Sequence, residues 1–368
     1  MNARTALEWQ EKLVRQYRAE YEKGHSPDEH KGYGTKTFRA LMKLSDMQRE
    51  LGAGNAALAS AEEAMRLGGE LKDEVGVREV ERDTAVICNR IGGLYRDRRE
   101  FRKALAYYRK ALEIYGRLAA EMETARAKRD LSVSQERMGD IYRKMKDSDR
   151  AEEMYAKSRE IREKLAGKST QPGPRRDLSA ILVKLGNMRK EKADYSEALR
   201  LYREAAEIDC VRAAEEKTDQ AKDDYAVNLL KAGDMFRKKG EVYDAAECHR
   251  EAVEIFRDIA ERTDSLRSRQ SLATGLEKLA KSLEGSGQRE AAGNCLKEAV
   301  RIREEAAAGA PSDDTQHELA VTYFQYAEFH RDAETMRKAL EIWEAASVRH
   351  PEYGQYADSA RRMLTKLQ

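Results

Sequence analysis

Three polar columns run through this chain at a fixed interval of 47 residues, and they hold most of the side chains whose types and spacing could bind something. The first reads Lys43, Arg90, Arg137, Lys184, Lys231, Lys278 and Gln325. Three residues later comes Asp46, Gly93, Asp140, Asn187, Asp234, Lys281 and Glu328; three further on comes Arg49, Arg96, Arg143, Lys190, Arg237, Glu284 and Arg331. Steps of three keep all of them on roughly one face of a helix. Two chemistries fit this pattern. Each acid can pair with bases one turn away or in the next copy, giving a ladder of exposed ion pairs contributing about 0.2–0.5 kcal/mol each. The other chemistry rests on what pairing leaves over. In copies two to five the basic columns supply eight bases (Arg90, Arg96, Arg137, Arg143, Lys184, Lys190, Lys231 and Arg237), against only Asp140 and Asp234 as acids. Such an excess suits a peptide carrying carboxylates or phosphates, whose oxygens a guanidinium pairs bidentately. Asn187 is placed to hydrogen-bond a peptide backbone.

Nothing comparable points to catalysis. The chain has no GxGxxG, P-loop, HExxH or GxSxG pattern, so no enzyme activity and no cofactor is expected. His249 and His330 fall at bulky repeat positions and read as packing residues. His25 and His30 share one N-terminal segment without the further ligands a metal would need, and His350 precedes Pro351 at a helix end. Cys88, Cys210, Cys248 and Cys295 form no CxxC pair and read as small buried or half-buried residues. Charged residues make up 37% of the 368 and aromatics 7%, with only 5 prolines, the composition of long charged helices. A formal net charge of +2 gives no global field to draw nucleic acid or membrane. No apolar run approaches the roughly 20 residues of a membrane span. The opening MNARTALEWQEKL lacks the apolar core of a signal peptide, so a reduced cytoplasmic setting is the expectation.

The elements that must position the polar columns are marked by small residues at the same interval. One column is Ser45, Gly92, Gly139, Gly186, Gly233, Ala280 and Ala327. Two more are Ala57, Ala104, Ala151, Ala198, Ala245, Ala292, Ala339 and Ala64, Ala111, Ser158, Ala205, Ala252, Ala299, Ala346. A bulkier column lies between those two: Ala61, Tyr108, Tyr155, Tyr202, His249, Leu296 and Trp343. Spacings such as Ala104, Tyr108, Ala111 and Met138, Ile141, Tyr142, Met145 predict two amphipathic helices per copy. A helix-interior glycine costs about 1 kcal/mol relative to alanine, so the glycine column implies close approach of the paired helix, with the bulky column filling the space beside it. Asp147 and Asp194 suit N-caps of second helices, and Thr124, Thr218, Ser265 and Ser312 N-caps of first helices. Gly52, Gly240 and Gly287 suit the turn between them. Pro172, Pro174 and Pro311 mark breaks between copies.

These columns resemble the tetratricopeptide repeat. Cys88, Ile91, Gly92 and Tyr95 fill its first-helix slots, and Ala104, Tyr108 and Ala111 its second. Tyr323, Tyr326, Ala327, Ala339, Trp343, Ala346 and Pro351 match it best. The unit is 47 residues rather than the family's usual 34, as in elongated members similar to kinesin light chain and many bacterial signalling proteins. The resemblance implies an all-α, right-handed α-solenoid: seven repeats over residues 35–352, a capping helix and loop over 1–34, and a capping helix over 353–368. It implies that first helices line a concave groove, which would hold the peptide on Arg90, Arg96, Arg137, Asp140, Arg143, Lys184, Asn187, Lys190, Lys231, Asp234 and Arg237. The expected function is a non-enzymatic interaction scaffold, monomeric or weakly dimeric, with an acidic protein or peptide partner. The alternative is a regulatory sensor module acting with an effector outside these residues. Co-chaperone members hold a C-terminal carboxylate with a Lys followed four residues later by Asn, and no copy here has that pair, so a chaperone-tail clamp is not expected.

Overall fold

The computed structural model describes residues 2–23, 26–71 and 77–367, and among them every regular element is helical. The chain divides into two compact units, Met1–Thr170 and Gln171–Gln368. The first contains α1 (Ala3–Glu22), α2 (Pro27–Glu50), α3 (Gly54–Leu71), α4 (Val77–Asp97), α5 (Phe101–Met122), α6 (Ala125–Lys144) and α7 (Ser148–Ala166). The second contains α8 (Pro172–Glu191), α9 (Tyr195–Glu216), α10 (Asp219–Lys239), α11 (Val242–Thr263), α12 (Leu266–Gly285), α13 (Arg289–Gly309), α14 (Asp313–His330) and α15 (Ala333–Ser347). A 3₁₀ turn (Pro351–Tyr353) and α16 (Gly354–Leu367) close it. Within each unit every helix packs on the next one in sequence. Each unit is thus a stack of helical hairpins, the tandem-repeat arrangement of an α-solenoid.

Local chemistry sets the ends of these helices. The side chains of Thr124, Thr218, Ser265 and Ser312 accept hydrogen bonds from the backbone N–H groups of Ala127, Ala221, Ser268 and Thr315, as N-caps do. Asp147 and Asp194 do the same for Arg150 and Glu197. The turns between paired helices need one left-handed residue. Gly52, Gly240 and Gly287 supply it at φ 75°, 83° and 80°, while Arg99, Lys146 and Ala193 adopt it at the same repeat position without glycine's freedom.

Two expectations need correction. The loop expected to end the 1–34 segment is largely helix: α2 starts at Pro27, so residues 27–34 are helical. Proline at the first helical position and Asp28 and Glu29 in the first turn suit a helix N-terminus. Gly34 serves packing: a Cβ there would lie 2.5 Å from Leu71 Cδ2 and 2.9 Å from Tyr21. His25 lies outside the described residues; His30 stacks on Tyr21 at 4.1 Å.

The second correction concerns the glycine column. The bulky ring lies directly on the glycine, not beside it. A Cβ at Gly92, Gly139, Gly186 or Gly233 would come within 2.9, 2.5, 2.6 or 2.5 Å of Tyr108, Tyr155, Tyr202 or His249. Where the ring column instead holds Ala61, Leu296 or Trp343, the first column holds Ser45, Ala280 or Ala327. Gly139→Ala is therefore expected to lower the unfolding temperature. Overpacking of about 1–3 kcal/mol outweighs the roughly 1 kcal/mol gained in helix propensity. Adding Tyr155→Leu, which recreates the Ala280/Leu296 pair of another copy, should recover part of the loss. A rise in Tm for Gly139→Ala alone would contradict the contact.

Candidate functional site

In the first unit the polar columns sit on α2, α4 and α6. Arg90 reaches back one copy to Asp46 at 2.7 Å. Burial lowers the Arg90 pKa, opposed by Asp46 and Asp83, and its Nη1 is buried without a hydrogen-bond partner. Burial also raises the Asp46 pKa, with Arg90 opposing. Arg49 pairs with Asp97 at 2.8 Å, and Arg96 turns to the same carboxylate at 2.8 Å. Asp140 accepts the Tyr155 hydroxyl at 2.7 Å, an anchor between the two helices of its hairpin.

The second unit repeats these contacts. Asn187 Oδ1 accepts the Tyr202 hydroxyl at 2.7 Å, which leaves its amide hydrogens as the groups that a peptide carbonyl could meet. Lys278 pairs with Asp234 at 2.5 Å, and Arg237 lies 4.0 Å from the same carboxylate. His249 takes the tyrosine position, with Nε2 3.8 Å from Asp234. Lys231 stands among these groups. Burial holds its amine below the ordinary lysine value; repulsion from Lys190 and Lys278 adds to this and Asp234 opposes it. Lys281 is lowered by burial, opposed by Glu277 and reinforced by Arg237 and Lys278. Glu277 is itself engaged by Arg303 at 3.3 Å and the Thr322 hydroxyl at 2.7 Å. Lys231, Arg237 and Lys278, from α10 and α12, therefore share Asp234.

A pairing rule emerges. The Arg90–Asp46 and Lys278–Asp234 pairs each join a base to the acid 44 residues before it. At that offset Arg137 meets Gly93 and Lys231 meets Asn187, neither of which has a carboxylate. Pairs of this kind form at Asp46 and Asp234, and the steps at Gly93 and Asn187 have no carboxylate to offer. Sequence counting pointed to an excess of bases, and the register shows which two miss their acid. Lys278 and Lys281, outside the eleven expected site residues, belong to the same cluster.

A set of buried ions went unread in the sequence. Arg162, Arg212 and Arg303 are almost fully buried, and Arg162 pairs with Glu136 at 2.5 Å. Arg212 pairs with Asp209, Glu216 and Asp224. Arg162, Asp209 and Arg303 occupy a repeat position that is Tyr115 and Phe256 in other copies, and the interrupted apolar column was the available signal. All four cysteines are free, with Cys88 buried and Cys210, against expectation, exposed. Among the described residues no cluster of three or more potential metal ligands occurs, and no helix is long and apolar enough to cross a membrane.

A family model of the tetratricopeptide repeat matches residues 83–164 and 130–210. The apo form of RapI is similar, with a TM-score of 0.63 at 14% identity, covering 99% of this chain and 98% of that one. PH0952 from Pyrococcus horikoshii, a signal-transduction ATPase with numerous domains and a tetratricopeptide repeat sensor, gives 0.60 at 14% identity; the match covers 99% of this chain and 50% of that one. BtubC (BKLC) from P. vanneervenii gives 0.53 at 20% identity, covering 69% of this chain and 92% of that one. At these identities the likeness is one of fold. No curated protein sequence matches the chain.

Proposed function

For a chain built of tetratricopeptide repeats, we propose the role of a non-enzymatic protein-interaction scaffold that takes an acidic or carboxylate-bearing peptide segment on its first-helix face. One observation carries this reading: Arg137 and Lys231 lack the carboxylate that Arg90 and Lys278 receive from the preceding copy. A peptide side-chain carboxylate would complete the ladder at those two steps. Arg90, Arg96, Asp140 and Arg143 flank the first vacancy, and Lys184, Asn187, Lys190, Asp234 and Arg237 the second. A pre-organised helical surface lets such contacts form with little ordering cost. The near-neutral net charge favours a protein partner over nucleic acid or membrane.

Labelled peptides rich in Asp and Glu, each paired with its Asn/Gln counterpart, test the reading by fluorescence anisotropy. The acidic members should bind more tightly, and Arg137→Glu with Lys231→Glu should weaken them by about tenfold or more, as expected for desolvated charge pairs. Equal binding of acidic and amide peptides, or affinity unchanged by the charge reversal, would sink it. A second reading, a sensor module acting on an effector, draws on the likeness to PH0952 and is an analogy of fold. It differs in requiring that peptide binding change the activity of a second domain or protein.

A further inference from the structure

In the second unit, α13 and the end of α14 border an open hollow of about 440 Å³. Arg289, Lys297, His330 and Arg331 line it, with Glu290 as the one acid and Phe329 as an apolar wall. The wall is fixed. Arg289 donates to the Phe329 carbonyl at 3.0 Å, and its guanidinium lies over the Phe329 ring at 4.7 Å. His330 packs against Phe329 at 4.9 Å and Tyr326 at 4.3 Å between ring centres, while remaining exposed to solvent. Gly293 lets both rings pack close to α13: an added Cβ would lie 3.2 Å from His330 and 3.3 Å from Phe329, whereas the two preceding copies hold buried Ala246 and Leu199 at this position.

We propose that this hollow binds a phosphate-bearing small molecule, with Arg289, Lys297, Arg331 and His330 meeting the phosphate and Phe329 the rest of the ligand. Three cations and an imidazole exceed what one carboxylate would neutralise, and they suit a dianion with several acceptor oxygens. The imidazole reports on occupancy. Burial lowers the His330 pKa; Lys297 and Arg289 lower it further, and Asp332 and the backbone at Gly293 oppose them. A bound dianion would oppose the cations and raise it.

The test is an NMR titration of the His330 ring in the full chain, its resonance identified by loss in His330→Asn, with inorganic phosphate and with ADP as probes. Each probe should raise the titration midpoint by about half a unit or more. Lys297→Gln with Arg331→Gln should abolish the shift, and Glu290→Gln should enlarge it. Tighter binding of ADP marks an organic phosphate as the ligand; equal binding marks free phosphate. An unmoved midpoint, an equal shift from sodium chloride at matched ionic strength, or a shift that survives the double substitution overturns the proposal.

Discussion

Arg212→Ile is expected to destabilise the protein by about 3–5 kcal/mol, and Asp209→Phe made on top of it should restore most of that loss. Arg212 and Asp209 each have side chains only 2% exposed, and they pair at 2.5 Å. Arg212 also holds Glu216 at 2.9 Å and Asp224 at 3.2 Å, while Asp209 accepts from the Ser179 hydroxyl and from Asn228 at 2.8 Å. Removing the cation leaves Asp209 charged in an interior that already raises its pKa by burial. Removing both charges avoids that penalty, and the fold supplies the template: the equivalent pair is Phe256 and Ile259 in the next copy and Tyr115 and Leu118 in an earlier one. Ser179 and Asn228 keep each other at 3.3 Å, so recovery should be incomplete. Urea unfolding of parent, single and double variants measures the coupling directly. A neutral single substitution, or a double variant as weak as the single, would contradict the assignment.

Acid should weaken the hairpin around His249 more than its neighbours. The ring is fully buried, with Nε2 donating to the Leu230 carbonyl at 3.3 Å and Nδ1 accepting from the Ser282 hydroxyl at 2.8 Å, the pattern of a neutral imidazole. Its pKa is pushed down to about 4 by burial, against the pull of Asp234 and Leu230 and with the repulsion of Lys278 and Arg237. The unfolded chain, titrating near 6.5, therefore binds the proton first as pH falls. Stability on this account is complete above pH about 6.5 and is lost progressively down to about 4, a difference of roughly 3 kcal/mol. His249→Tyr restores the residue used by three other copies and gives Asp234 a hydroxyl partner like that of Asp140. The variant should lack this component of the acid loss, read as the difference between its stability–pH curve and the parent's. Superimposable curves would count against the buried neutral ring.

The sequence made the helices and many of their caps legible because they obey local rules that recur from copy to copy: Thr124, Asp147, Asp194, Thr218, Ser265 and Ser312 all engage as their positions imply. It misled at residues 27–34, expected as loop and found helical, where Gly34 leaves space for Tyr21 and Leu71. The polar columns were equally plain, but not their pairing. Whether Arg137 or Arg90 finds an acid depends on the 44-residue offset, which only the stacking of hairpins reveals. The Asp209–Arg212 network was hidden because two charges in an apolar column look like surface until burial is known. The hollow was hidden because its lining comes from two sequence segments, 289–297 and 329–331, that meet only once α13 packs on α14.

The ring-on-glycine contact also bears on how such a chain can grow. Gly139 and Tyr155 belong to the same 47-residue segment, so a tandem duplication copies lock and key together, and every new segment arrives with a hairpin that already fits. The Arg90–Asp46 type of pair straddles two segments. After each duplication it depends on what its new neighbour happens to carry. Genetic drift can therefore erode the ladder step by step while leaving the hairpins intact, and each eroded step is a place where a foreign carboxylate can be recruited.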